Sequence, residues 1–309
     1  SPRWVIAFKY PAERKLTRLI RVEHQVGKTG KITPRAVMEP VLLAGSVVQH
    51  ATLHNYGWLR SIRTDLSLSE HQDPGTHLCE GDMIEIEKAG EIIPYVLRVD
   101  LSQRPTGAKK ITAPDHCPAC KGPVEVEEAS GEETVRFCLN PSCPAQIREK
   151  LIWFAGRKQM DIDGLGEKIV DQLVEADLVQ SYADLYRLTK DQLLTLDSFG
   201  ERKAENLLSG IAASRQRGLA RVLAAISIRH VGTRVAKLLA QSFPTIEQLQ
   251  AATIDDLAAV DEIGPIIAEN VYEYLHSEMG QQILDGLRAV GVQLELAESD
   301  RKIAVATQG

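Results

Sequence analysis

Apolar positions change their rhythm along the 309 residues. Up to about residue 105, β-branched and apolar runs (WVIAFK at 4–9, RLIRVEHQV at 18–26, AVMEPVLLAGSVVQHATL at 36–53, MIEIEK at 83–88, IIPYVLRV at 92–99) alternate with turn signals such as GKTGK and AGE. Such runs predict the strands of a small all-β barrel or sandwich, and a five-stranded OB-type barrel fits the size. Two polar stretches carrying Pro and Gly interrupt the pattern: 61–81 predicts a surface loop and 102–116 a linker. From there a cysteine module comes first, and then amphipathic helices run to about 290.

The helical half repeats itself. Gly166, Gly200, Gly232 and Gly264 are spaced by 34, 32 and 32 residues, and each follows an apolar residue and opens an amphipathic helix. The unit is helix, tight hairpin, helix. A helix N-terminus presents unpaired backbone N–H groups, and glycine lets a phosphate approach them without a Cβ in the way. Four copies in register predict helix-hairpin-helix motifs that grip a nucleic-acid backbone irrespective of its sequence. For any single copy the alternative is an ordinary helix connection whose glycine serves packing alone. The candidate contacts are Gly164, Gly166 and Lys168 in the first hairpin, Gly200, Arg202 and Lys203 in the second, and Gly232, Arg234 and Lys237 in the third. The fourth has Pro265 and Glu269, which remove an N–H and a positive charge, so it is expected to be mainly structural.

Cys117-x2-Cys120 and Cys138-x4-Cys143 form two close pairs seventeen residues apart. Two such pairs supply the four thiolates of a tetrahedral structural Zn²⁺ site; two disulfides or free thiols are the alternative. Four thiolates close the coordination sphere, so the metal is expected to hold a fold and do no chemistry. His116 is expected outside the ligand set, and Cys79 as an incidental thiol.

Composition adds bounds. With 44% hydrophobic and 25% charged residues the chain is ordinary globular protein of two to four small domains. No apolar run approaches the ~20 residues of a membrane span and no signal peptide is legible, so a soluble intracellular protein is expected. Five cysteines, four of them clustered, fit a metal site in a reducing compartment better than a secreted disulfide framework. The net charge is −6, yet residues 1–60 hold ten Lys/Arg against three Asp/Glu, a basic face able to meet phosphates. On an OB-type barrel Lys28, Thr29 and Lys88, beside glycine turns, are the candidates for a nucleic-acid face; a solvated barrel surface is the alternative for any one lysine.

The segments WVIAFKYPAE, VEHQVGKTGKITP, EPVLLAGSVVQHATLHN, GDMIEIEKAGEIIP, CLNPSCPAQ and FAGRKQMDIDGLGEKIVDQL, with the later hairpins, resemble the bacterial NAD-dependent DNA ligases, in order, over nearly all of 1–290. The resemblance implies the end of a nucleotidyltransferase (adenylation) domain at 1–11, an OB domain at 12–105, a zinc finger at 106–148, a helix-hairpin-helix domain at 149–290, and a linker toward a BRCT domain at 291–309. It also implies nick sealing in replication and repair, in three steps: lysyl-AMP forms from NAD⁺, AMP passes to the 5′-phosphate, and the 3′-hydroxyl displaces it. Mg²⁺, nicked duplex DNA as partner, a monomer and a bacterial cytoplasmic location are implied with it. Lys9 matches the family's lysine that contacts the adenylate phosphate. Lys28 and Lys88 stand where the family commonly has arginine; lysine keeps the charge but loses the bidentate fork. The nucleophile motif Lys-x-Asp-Gly occurs at none of the fifteen lysines. The chain is therefore expected to be a C-terminal portion that binds DNA without adenylating itself. The competing reading is a non-catalytic module that binds DNA structures.

Overall fold

The structure, a computed structural model, describes residues 12–69, 71–88, 93–129 and 132–297. The candidate Lys9 lies outside them. The chain divides into two compact units, Ser1–Cys143 and Pro144–Gly309.

In the first unit the strands are β1 (Glu13–Val26), β2 (Lys31–Leu43), β3 (Ser46–Thr52), β4 (Met83–Lys88), β5 (Tyr95–Asp100), β6 (Val124–Ala129) and β7 (Glu132–Cys138), with one short helix, α1 (Tyr56–Arg60), after β3. The sheet order is β1-β4-β5-β3-β2-β7-β6, and β1 also pairs with β2, so the first five strands close on themselves as the expected barrel. Closure needs one strand to serve two neighbours. The fourteen-residue β1 does so: residues 13–18 pair with β4, residues 19–26 pair with β2, and the register shifts between Leu19 and Arg21. A bulge there bends the strand, burying Leu19 and leaving Ile20 exposed. The run 36–53 is two strands, broken where Ala44 and Gly45 both take left-handed backbone. Ile32, Leu43, Leu53, Ile84, Ile86, Val96 and Val99 fill the barrel.

Two expectations are corrected here. The segment 61–81 is a folded lobe: Ile62 and Thr76 exchange backbone hydrogen bonds at 2.9 and 2.7 Å, and Ile62 and Leu78 are buried. The buried Asp73 carboxylate accepts from the N–H groups of Asp65, Gly75 and Thr64, which hold its pKa well below the usual carboxylate range. A Cβ on Gly75, whose φ is +64°, would stand 2.6 Å from the Ser61 carbonyl oxygen. The expected linker 102–116 is strapped to the barrel. Arg104 donates to both oxygens of the buried Asp82 carboxylate at 2.7 and 2.8 Å, and Ile111 N–H donates to Leu78 O at 3.0 Å. Beyond the strap, β7 continues the sheet through Lys31↔Phe137 and Ile32↔Arg136, so the cysteine module is built onto an edge of the barrel.

The second unit contains α2 (Pro144–Ala155), α3 (Glu167–Glu175), α4 (Tyr182–Leu185), α5 (Lys190–Leu194), α6 (Glu201–Ser214), α7 (Leu219–Ala225), α8 (Thr233–Ser242), α9 (Ile246–Ala251), α10 (Ile254–Ala258), α11 (Pro265–His276) and α12 (Glu278–Ala289). One apolar core runs through them, with Phe154 stacked on Tyr182 at 4.6 Å between ring centroids. Residues 292–297, placed by the sequence reading in a linker, belong to this core. Val292, Leu294 and Leu296 are buried, and backbone hydrogen bonds tie Leu219 N–H to Glu295 O and Leu296 N–H to Pro244 O, each at 2.7 Å. No helix among the described residues is long and apolar enough to cross a membrane.

Candidate nucleic-acid interface and metal centre

The four hairpins share one backbone wiring. The residue two before each hairpin glycine takes left-handed backbone: Gly164 at φ 81°, Ser198 at 60°, His230 at 64° and Glu262 at 65°. The residue between is a buried apolar plug, Leu165, Phe199, Val231 or Ile263. Gly166, Gly200, Gly232 and Gly264 then cap α3, α6, α8 and α11. Their φ values, −88°, −95°, −94° and −80°, are open to any residue, and a Cβ on any of them would meet nothing within 4 Å. Neither backbone conformation nor packing inside the protein calls for glycine.

Three other helix starts in this unit are handled differently, while α7 begins at Gly218, at φ 81°, also without a side-chain cap. The hydroxyl-bearing caps Thr189, Thr245 and Thr253 accept from the N–H groups of Gln192, Gln248 and Asp256 at the starts of α5, α9 and α10. The four hairpin helices have no side-chain cap, so their first N–H groups are left for an outside acceptor.

The predicted cations fall into separate groups. Lys168, Arg202 and Lys203 are exposed on first turns. Gly164, Arg202 and Lys203 border one cleft of about 370 Å³, which joins the first hairpin to the second. Lys203 is fixed there, donating to Ser198 O at 3.3 Å with its ammonium 4.4 Å from the centre of the Phe199 ring. Arg234 forms an ion pair with Glu262, the left-handed residue of the fourth hairpin. Lys237, about one turn further along α8, is half-buried. Pro265 stands at the first position of α11, where it removes an N–H.

On the barrel, Lys28 and Thr29 lie in the turn between β1 and β2, closed by Gly30 N–H donating to Gly27 O at 2.9 Å. Burial pushes the Lys28 ammonium down to about 8. Lys88 pairs in register with Glu13, and its ammonium donates to Ser46 Oγ at 2.8 Å. The two lysines therefore lie at opposite ends of the longest strand.

The four cysteine sulfurs converge within 4.8 Å of one another. Cys117 and Cys143 Sγ are 3.8 Å apart, and Cys120 and Cys138 Sγ are 3.6 Å apart. Disulfide sulfurs stand about 2.05 Å apart, so these are thiols. A tetrahedron with bonds of about 2.3 Å has edges of about 3.8 Å, so the four sulfurs could hold one metal ion. Gly122 N–H donates to Cys120 Sγ at 3.4 Å. Burial pushes the Cys120 thiol up, but hydrogen bonds from Asn140 and Gly122 and to its fellow cysteines outweigh it and bring it to about 6. The sequence reading did not single out Gly122 and Asn140, although a Gly or Asn turn follows the second and third cysteines. His116 is exposed and outside the cluster, and Cys79 is buried within the barrel unit.

Comparison with known proteins agrees with this architecture. Residues 16–108 match the NAD-dependent DNA ligase OB-fold domain, 159–213 a SAM-like helix-hairpin-helix tandem and 221–284 a helix-hairpin-helix motif. The chain is 45% identical over 308 residues to a DNA ligase of Anoxybacillus flavithermus, covering 99% of this chain and 43% of that protein. It is 43% identical to a DNA ligase of Oceanobacillus iheyensis and 44% identical to one of Rhodopirellula baltica, in each case over 96% of this chain and 42% of the relative. The chain thus spans less than half the length of these relatives, and over that span it belongs to the family of the bacterial NAD-dependent DNA ligases.

Proposed function

We propose that this chain is the DNA-holding portion of an NAD⁺-dependent ligase that seals nicks carrying 5′-phosphate and 3′-hydroxyl ends in duplex DNA. The observation that carries the reading is the set of four glycine caps with ordinary backbone, open space at the Cβ position and no side-chain cap. Glycine there serves something outside the protein, and an anion is what a bare helix N-terminus attracts. Lys28, Thr29, Lys88, Lys168, Arg202 and Lys203 add charge or hydrogen bonds to that grip, which is independent of base sequence. NAD⁺ and Mg²⁺ would supply the activated adenylate and charge neutralisation in the whole enzyme. The residues present hold no Lys-x-Asp-Gly nucleophile, so the chain binds without forming a covalent adenylate. Cys117, Cys120, Cys138 and Cys143 would hold a structural Zn²⁺ that fixes the hairpin of β6 and β7.

Gly200→Asp tests the grip, because its two effects have opposite sign. Aspartate is a better helix cap than glycine, so stability should stay level or rise by about 0.3 kcal/mol. Its carboxylate would meet the incoming phosphate, so affinity for a nicked duplex should fall about tenfold or more. Unchanged binding would remove the reading's support. Labelled NAD⁺ tests the second part: no AMP should become attached to the chain.

A further inference from the structure

A cleft of about 320 Å³ in the helical unit is lined by Arg157, Lys158, Arg221, Lys237 and Thr233 over a floor of Ala220 and Ala224. No carboxylate lines it. Arg157 and Lys158 come from the loop after α2, which leads into the first hairpin, whereas Lys237 and Thr233 come from α8 of the third. Arg221 joins the two, donating from one guanidinium nitrogen to Arg157 O at 2.9 Å and Gln159 O at 2.7 Å. Trp153 donates from its indole to Ala224 O at 3.0 Å, fixing the end of α2 against α7.

Four positive groups gathered in one cleft without a counter-charge repel one another, whereas several other cations of this unit stand beside a carboxylate. Arg148, Arg187, Lys190, Arg217, Arg234 and Arg288 each sit in an ion pair. Among the described residues no carboxylate pairs with Arg157, Lys158, Arg221 or Lys237. An anion from outside would supply that counter-charge. The site is concave, has small apolar residues as its floor, and opens beside the uncapped start of α8 at Gly232. These features suit a tetrahedral oxyanion reached by several donors at once.

We propose that this cleft holds one phosphodiester group of a DNA strand, so that the first and third hairpins share a single backbone phosphate in addition to the contacts at their tips. The proposal rests on the DNA-binding reading above. It couples the two hairpin tandems through one anion: Arg221 sets the loop, Arg157 and Lys158 close over the phosphate from one side, and Lys237 and the Thr233 hydroxyl meet it from the other.

The test measures binding of the 309-residue chain to a labelled nicked duplex by fluorescence anisotropy between about 50 and 200 mM salt. Because one phosphate is at stake, the triple variant Arg157→Gln/Lys158→Gln/Lys237→Gln should bind about tenfold more weakly. The slope of log affinity against log salt should become shallower by about 0.9. Arg187→Gln, a change at an ion-paired cation outside the cleft, should leave both unchanged, and circular dichroism should show the triple variant folded. A slope change of about 2.7 would assign the three cations to three separate phosphates and overturn the shared site. Unchanged affinity and slope overturn it as well. In a second arm, ³¹P spectra of pyrophosphate are recorded with the chain; pyrophosphate held by the parent chain and not by the triple variant, together with an unchanged DNA slope, makes the cleft a free-phosphate site and also overturns the proposal. Failure of the parent chain to bind any duplex sinks the DNA reading itself, an outcome distinct from the others.

Discussion

Lys28 carries its charge under strain from its surroundings. Burial alone pulls its ammonium to about 8, so it is mostly protonated at pH 7 and mostly neutral above pH 9. Its attraction for phosphate is present below the shifted pKa and is lost as pH rises through it. A bound phosphate favours the protonated form and moves that loss upward somewhat. Between pH 7 and 9.5, at fixed ionic strength, the parent chain should lose about threefold more affinity for duplex DNA than Lys28→Arg, whose guanidinium stays charged throughout. Identical pH profiles would deny Lys28 a phosphate contact. Arg234 poses the reverse case. It sits in a first turn where a phosphate contact was expected, yet Glu262 occupies it. Glu262→Gln should release it, tightening binding about threefold and steepening the salt slope by about 0.9. If neither changes, Arg234 does not meet the DNA.

At the scale of elements, the hairpins show what a sequence can and cannot convey. Their period and the apolar residue before each glycine were legible because both are chemical repeats. The left-handed residue two positions earlier was not: glycine marks it in the first copy, while Ser198, His230 and Glu262 occupy it in the others. The plug residue supplies the reason. Burial of Phe199, Val231 or Ile263 holds a tight turn that costs a non-glycine residue roughly 1 kcal/mol, against about 2 kcal/mol for burying such a side chain. The cationic loop Arg157-Lys158 escaped notice for a related reason. It lies ahead of the hairpin, and what gives it a partner on α8 is packing through Arg221 and Trp153, which no local pattern records.

For the whole molecule, the polar stretches at 61–81 and 102–116 read as loop and linker because their order depends on a few polar groups, the buried Asp73 and Asp82 and the half-buried Arg104, and not on apolar periodicity. Strapping by 104–111 and the pairing of β2 with β7 make the barrel and the cysteine module one body. The helical unit has a core of its own and none of the four thiols. Metal removal should therefore act unequally. A structural zinc couples its binding energy to folding, and here the ligands fix a hairpin that continues the barrel sheet. One zinc per chain should be found by elemental analysis. On chelation, or in Cys143→Ser, the calorimetric transition of the barrel unit should fall by about 10 °C or more, while the helical signal keeps its midpoint. Equal shifts in both transitions would mean that the metal supports the whole chain, and no shift in either would mean that the four thiols do not carry a structural ion.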